Sequence, residues 1–152
     1  FGQIACIGYA IDEGDADCLT GIEKEMLEKF WEIAAGCDLF VGFNNMDFDL
    51  RFIYQRSVIC GVKPSKELSF ARYRSFPIYD IMHEWRKWDN SASISLHELS
   101  KALGIASSKE GGIEGGDVSK FFNEGKIDEI AEYCKRDVEA TREIYKKMTF
   151  EK

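Results

Sequence analysis

The chain has 152 residues, 45% hydrophobic and 31% charged, which fits one water-soluble globular domain with a single core. Its net charge of −7 argues against a non-specific nucleic-acid coat protein. No apolar run approaches the roughly 20 residues that span a membrane, and no signal-peptide pattern opens the chain.

In chain order, "GQIACIGYAI" reads as a buried strand that ends at the acidic turn "DEGDAD". "TGIEKEMLEKFWEIAAG" predicts a helix, with Thr20 and Glu23 as a capping box and Gly36 as its stop. Its apolar stripe is Ile22, Met26, Leu27, Phe30 and Ile33. "DLFVGF" is a second short strand. "MDFDLRFIYQRSVICG" follows as a helix with Asp47 as N-cap and Gly61 as its end.

Residues 62–79 hold both prolines and are expected to be mostly irregular. "YDIMHEWRKW" and "SLHELSKALG" are helices, the second with a Ser95–Glu98 capping box and Gly104 as its end. "KEGGIEGG" is a flexible loop that matches neither G-x-G-x-x-G nor a phosphate-binding loop. "VSKFFNEG" and "KIDEIAEYCKRDVEATREIYKKM" are the last helices. Strands early and helices late indicate an α/β or α+β domain.

Charge and cysteine usage narrow the class further. Between Arg51 and Trp88 eight Lys/Arg face only three acids (Glu67, Asp80 and Glu84), a basic stretch in an acidic chain. Five scattered cysteines without C-x-x-C argue against a zinc ribbon or a disulfide framework and for a reducing cytoplasm. His83 and His97 lack metal-ligand spacing and are expected to be ordinary surface or helix residues.

Two short constellations carry chemistry. Tyr133 and Asp137 lie four residues apart in the last helix, hence on one face and one turn apart. Asp137 falls at the edge of the apolar stripe of Ile127, Ile130, Ala131, Cys134, Val138, Thr141, Tyr145 and Met148, where a side chain can look into a cleft. "VGFNNMDFDL" runs from a strand end into a helix and carries Asn44, Asp47 and Asp49. Asp47 is placed to cap that helix; Asp49 is not needed for capping and stands near the C-terminal end of a strand, the usual ligand location on open α/β sheets.

"N-N-M-D-F-D" fits the N-x-x-x-F-D element, and "Y-C-K-R-D" the Y-x-x-x-D element, of the DEDD 3′–5′ exonucleases of the DnaQ-like superfamily. The chain resembles the tyrosine (DEDDy) subgroup, and "IACIGYA", "YDIM", "SLHELSKALGI", "KEGGIEG" and "EIAEYCKRDVEATREIY" resemble its bacterial branch related to the proofreading domain of family-B DNA polymerases. The resemblance runs from about residue 3 to residue 148.

This resemblance implies an RNase H-like fold, a mixed five-stranded sheet with helices on both faces, whose four carboxylates hold two Mg²⁺ or Mn²⁺ ions. Asp49 matches the second-motif aspartate that helps hold one metal, often through water. Asp137 matches the last-motif aspartate, a direct ligand of the other, and Tyr133 the tyrosine that orients the attacking water. Asn44 and Phe48 match positions that touch the terminal nucleotide, and Arg72 and Arg74 in the basic loop are candidates for binding phosphates. The expected substrate is a single-stranded DNA or RNA 3′ end, DNA favoured, with no membrane partner. A polymerase or repair partner is left open.

Such residue types suit the chemistry. In-line phosphodiester hydrolysis needs charge stabilisation on both the attacking and the leaving oxygen, which paired hard cations held by carboxylates supply. The family's first motif, D-x-E on the opening strand, is not found there, because Asp12 and the acids of "DEGDAD" follow the first visible strand. Residues 1–152 are therefore read as one exonuclease-like domain, N-terminally incomplete, with the D-x-E strand expected upstream of Phe1. The alternative is a catalytically inactive nucleic-acid-binding or interaction module on the same fold.

Overall fold

The computed structural model describes residues 2–106 and 118–151. The glycine-rich loop "KEGGIEGG" lies outside the described residues. Strand β1, Ile7–Tyr9, pairs antiparallel with β2, Asp17–Leu19, with Gly8 opposite Cys18. Helix α1, Glu23–Ala34, leads to β3, Phe40–Gly42, then a π-helical turn, Asn45–Asp49, and α2, Leu50–Cys60. Strand β4, Ile78–Asp80, runs directly into α3, Ile81–Trp85. Helices α4, Leu96–Ala102, α5, Val118–Asn123, and α6, Ile127–Met148, follow.

The result is a mixed α/β architecture. Among the described residues there are four strands in two separate pairs, not a continuous five-stranded sheet. β3 and β4 are parallel, and β1 and β3 both pack on α6 without a ladder between them. Two of the four strands, β2 and β4, fall where the sequence reads as turn or irregular chain. Each is three residues long, too short for an alternation pattern to register.

The β3–β4 ladder separates two cores, and its register explains the uninterrupted apolar run "LFV". Phe40 lies opposite Ile78, and both side chains join the core built on α1 and α2 with Met26, Leu27 and Trp31. Val41 lies opposite Tyr79, and both point the other way, onto Ile81, Leu99 and Ile144. Alternate residues of a strand face opposite sides, so a strand buried on both faces must be apolar throughout. On α6 the buried residues are Ile130, Ala140 and Ile144, so the apolar face extends past the expected stripe.

Several local expectations change. Thr20 and Glu23 form no capping box: Ile22 is the N-cap of α1, without a side-chain bond, and is largely exposed. Glu23 is drawn away by stronger donors, accepting from Ile4 N–H at 2.7 Å and from both prongs of Arg56 at 2.9 and 2.5 Å. That charge-assisted fork ties the segment before β1 to α2. Arg56 holds the Glu23 carboxyl below the usual carboxylate range. The Ser95–Glu98 box forms as expected, and Gly61 and Gly104 end their segments with φ near +70°.

Candidate active site

The site is built around the C-terminal ends of β3 and β4. Asp80, the last residue of β4, is fully buried and accepts three backbone hydrogen bonds. Asn44 N–H donates to Oδ1 at 2.9 Å, Met46 N–H to Oδ2 at 3.0 Å, and Met82 N–H to Oδ1 at 3.1 Å. One carboxylate thus caps α3 and fixes the turn that follows β3. Asn44 enters that turn with φ of 58°, a left-handed conformation that asparagine tolerates. Gly42 is needed just before it, since a Cβ there would lie 2.6 Å from the Asn45 amide nitrogen.

The turn presents Asp47, Phe48 and Asp49 on consecutive positions, all exposed. Asp47 does not cap α2. Its carboxylate instead lies 2.8 Å from His83 Nε2 and 3.6 Å from Arg72. His83 is correspondingly not a surface residue: it is fully buried on α3, stacked on Trp88 at 4.4 Å with a 7° angle between the rings. The Arg86 guanidinium donates to His83 Nδ1 at 3.1 Å, which leaves the ring proton on Nε2 to donate to Asp47. Arg72 lies above the Trp88 ring at 5.4 Å and also reaches Asn90. Phe48 stacks on Phe52 at 6.2 Å with one face open to solvent. Arg74 is exposed in the same loop as Arg72.

Asp49 is the N-cap of α2 by position but makes no side-chain cap bond. Burial, the Asp80 charge and the Asp137 charge push its carboxyl up to about 6. The residue keeps an exposed face, so solvent tempers both the burial and the like-charge contributions, while the upward direction of the shift stands. Asp49 and Asp137, far apart in the chain, are therefore within electrostatic reach of each other, as are Asp49 and Asp80. Tyr133 is half-buried one turn N-terminal to Asp137 on α6.

This donor set fits a hard divalent cation. Its ligand atoms are carboxylate oxygens, and a cation relieves both the cost of burying the Asp49 charge and its repulsion from Asp80 and Asp137. Asp49 and Asp137 could hold it. Asp80 supports them by charge, because both its oxygens already serve the backbone.

Sequence reasoning missed Asp80, whose position ahead of a helix is the signature of an N-cap and nothing more. It also missed a convergence of sulfur. Cys6, Cys18 and Cys134, scattered along the chain, have Sγ atoms within 4.8 Å of one another. Among the described residues no helix is long and apolar enough to cross a membrane.

No curated protein and no solved structure matches the chain. A family model does, over residues 10–152, a span that includes the N-x-x-x-F-D turn, Asp80 and the Tyr133–Asp137 face of α6. The chain belongs to the family of predicted 3′–5′ exonucleases related to the exonuclease domain of PolB.

Proposed function

We propose that this domain hydrolyses single-stranded nucleic acid from its 3′ end, DNA favoured, using divalent metal held in part by Asp49 and Asp137. The observation that carries the reading is the convergence of those two carboxylates, from the turn after β3 and from α6, near enough that the Asp137 charge adds to burial and the Asp80 charge in raising the Asp49 carboxyl. An arbitrary pair of acids matching two short motifs has no reason to meet in space.

When bound, Mg²⁺ or Mn²⁺ supplies charge stabilisation and a lowered water pKa. The chain's own residues do the rest. Phe48, with an open face, offers a stacking platform for the terminal base, an interaction indifferent to which base it is. Asn44 stands at the start of the same turn, and Arg72 at its edge is placed to meet a phosphate. Tyr133 orients the attacking water from its position one turn from Asp137.

The finer fold reading is part of the same proposal. β1 and β3 each pack on α6 without pairing with each other, and a strand seated between them would join the two ladders into one five-stranded RNase H-like sheet. A D-x-E on that strand would bring the remaining two carboxylates to the site.

The test is Mn²⁺-dependent degradation of a 3′-labelled oligonucleotide by the intact protein. Asp49→Ala and Asp137→Ala should each abolish it while leaving the fold intact, since both act through a shared cation site. A folded variant that kept near-wild-type activity would show the assignment to be wrong. Binding without cleavage in the wild-type protein would favour the inactive-module reading.

A further inference from the structure

Three of the five cysteines surround one glycine. Gly8 in β1 lies flush against α6, where a Cβ would come within 3.1 Å of Cys134 Cβ, the Cys134 carbonyl and Val138. Cys6 is two residues earlier in the same extended segment, so it faces the same side as Gly8. Cys18 is the cross-strand partner of Gly8, and directly opposed residues of an antiparallel pair share a face. All three side chains therefore point at the space that the missing Gly8 side chain leaves under the helix. Their sulfurs lie within 4.8 Å of one another, with Cys6 and Cys134 2.8 Å apart, and all three are half-buried.

We infer that Cys6, Cys18 and Cys134 form a three-thiolate site for a soft cation of the Zn²⁺ class, clamping β1 and β2 to α6. The inference does not rest on the nuclease reading, which uses hard cations and oxygen ligands, although Cys134 shares α6 with Tyr133 and Asp137. Thiolates select soft and borderline cations and disfavour Mg²⁺ and Mn²⁺, so the two sites need not compete.

The geometry is close to what a metal asks. Three sulfurs at about 2.3 Å from a tetrahedral Zn²⁺ stand roughly 3.8 Å from one another. The present spacings, 2.8 Å between Cys6 and Cys134 and none above 4.8 Å, bracket that value, so side-chain adjustments of about 1 Å bring the sulfurs to it, with the fourth position left to water. Binding exchanges the thiol protons for the cation: each sulfur still protonated releases its proton to solvent, with no change of oxidation state.

The local electrostatics favour starting that exchange at Cys18. Hydrogen bonds from the Cys134 and Cys6 thiols, with help from the Lys135 charge, hold the Cys18 thiol well below its ordinary range. Cys6 moves the other way: Cys134 pulls it down, but its bond to Cys18 and burial prevail and push it up to about 12. Cys18 is thus the sulfur that gives up its proton most readily, and the two flanking thiols yield theirs as the cation arrives.

The experiment is anaerobic titration of the reduced intact protein with Co²⁺, followed by displacement with Zn²⁺. One equivalent should produce thiolate-to-cobalt charge-transfer absorption in the near ultraviolet, and Zn²⁺ should erase it. Cys6→Ser, Cys18→Ser and Cys134→Ser should each weaken binding by more than about 100-fold, beyond the loss of an outer-shell contact, whereas Cys37→Ser should bind like wild type. Gly8→Ala, which fills the space between the sulfurs, should weaken binding too. Because the wild-type titration needs no variant to fold, it decides by itself: absence of the charge-transfer band in reduced protein overturns the site. A band unaffected by Cys18→Ser would overturn it as well. A Cys6–Cys134 disulfide formed in air, with no metal bound after its reduction, would replace the cation site with a redox pair.

Discussion

Met46 donates its backbone N–H to Asp80 across 34 residues of sequence, at 3.0 Å and away from solvent. Together with the bonds from Asn44 and Met82 it makes Asp80 the fixed point of the turn that carries Asp47, Phe48 and Asp49. Asp80→Ala strands one buried donor, Met46 N–H, and two part-buried ones, Asn44 N–H and Met82 N–H, and a buried donor left unpaired costs roughly 1–3 kcal/mol. The expected loss is about 1–3 kcal/mol, read as a melting temperature lower by roughly 2–12 °C. Melting unchanged within error would mean that water replaces the carboxylate there.

Tyr133→Phe removes only a hydroxyl. If that hydroxyl orients the attacking water, the loss appears in the transition state, so turnover should fall at least about tenfold with KM little changed. A silent variant in single-turnover assays would make Tyr133 a packing aromatic.

Asp49 predicts a pH dependence with a definite sign. In cation-free buffer its carboxyl keeps its proton up to about pH 6, against an ordinary value of 3.8. The folded state then binds this proton more tightly than the unfolded one. The group's contribution to stability is present at acid pH and declines as pH rises from about 4 to about 6. Asp49→Asn, which stays neutral, should therefore gain melting temperature relative to wild type over that interval in a chelator. Added Mn²⁺ should cancel the advantage by stabilising the wild type alone. A difference independent of pH would dissociate Asp49 from the charge cluster.

Phe48→Ala should weaken binding of a single-stranded oligonucleotide by the equivalent of about 1–3 kcal/mol, the worth of one stacked base. The fold should be spared, since Phe48 is 63% exposed. Equal affinity of variant and wild type would remove the aromatic from the substrate path.

Arg72 pairs with Asp47 at 3.6 Å in a setting where both side chains are more than a third exposed, so the pair is worth little and can open to a phosphate. Neutralising Arg72 and Arg74 together should make the salt dependence of oligonucleotide binding shallower by one to two counterions, on the order of the phosphates released. An unchanged slope would return both to ordinary solvated surface.

What the sequence disclosed depended on range. Helix α6 was legible because twenty-two residues repeat a 3.6-residue pattern, and the Ser95–Glu98 cap because both partners lie within one turn. Asp49 and Asp137 were legible as motif positions, though nothing local showed that they meet. His83 and Asp80 were misread because the groups that satisfy them, Asp47 and the backbone after β3, belong to another segment. The cysteines escaped for the same reason: Cys6 and Cys134 are separated by 128 residues, and spacing rules for metal ligands see only near neighbours. Thr20 and Glu23 had the right spacing for a cap, but Arg56, from α2, outcompeted it.

The bonds that Asp80 accepts come from main-chain N–H groups alone, and this divides the freedom of the site to change. Replacing the side chains at 44 and 82 leaves every one of those donors in place, with position 44 limited only to residues at ease at positive φ, such as glycine or aspartate. A position beside the candidate substrate path can thus be retuned while the frame beneath it stays as it is. If Asn44 touches the substrate as proposed, preference and architectural integrity rest on different atoms of the same turn, and an altered preference can arise at residue 44 in a single substitution without a compensating change elsewhere.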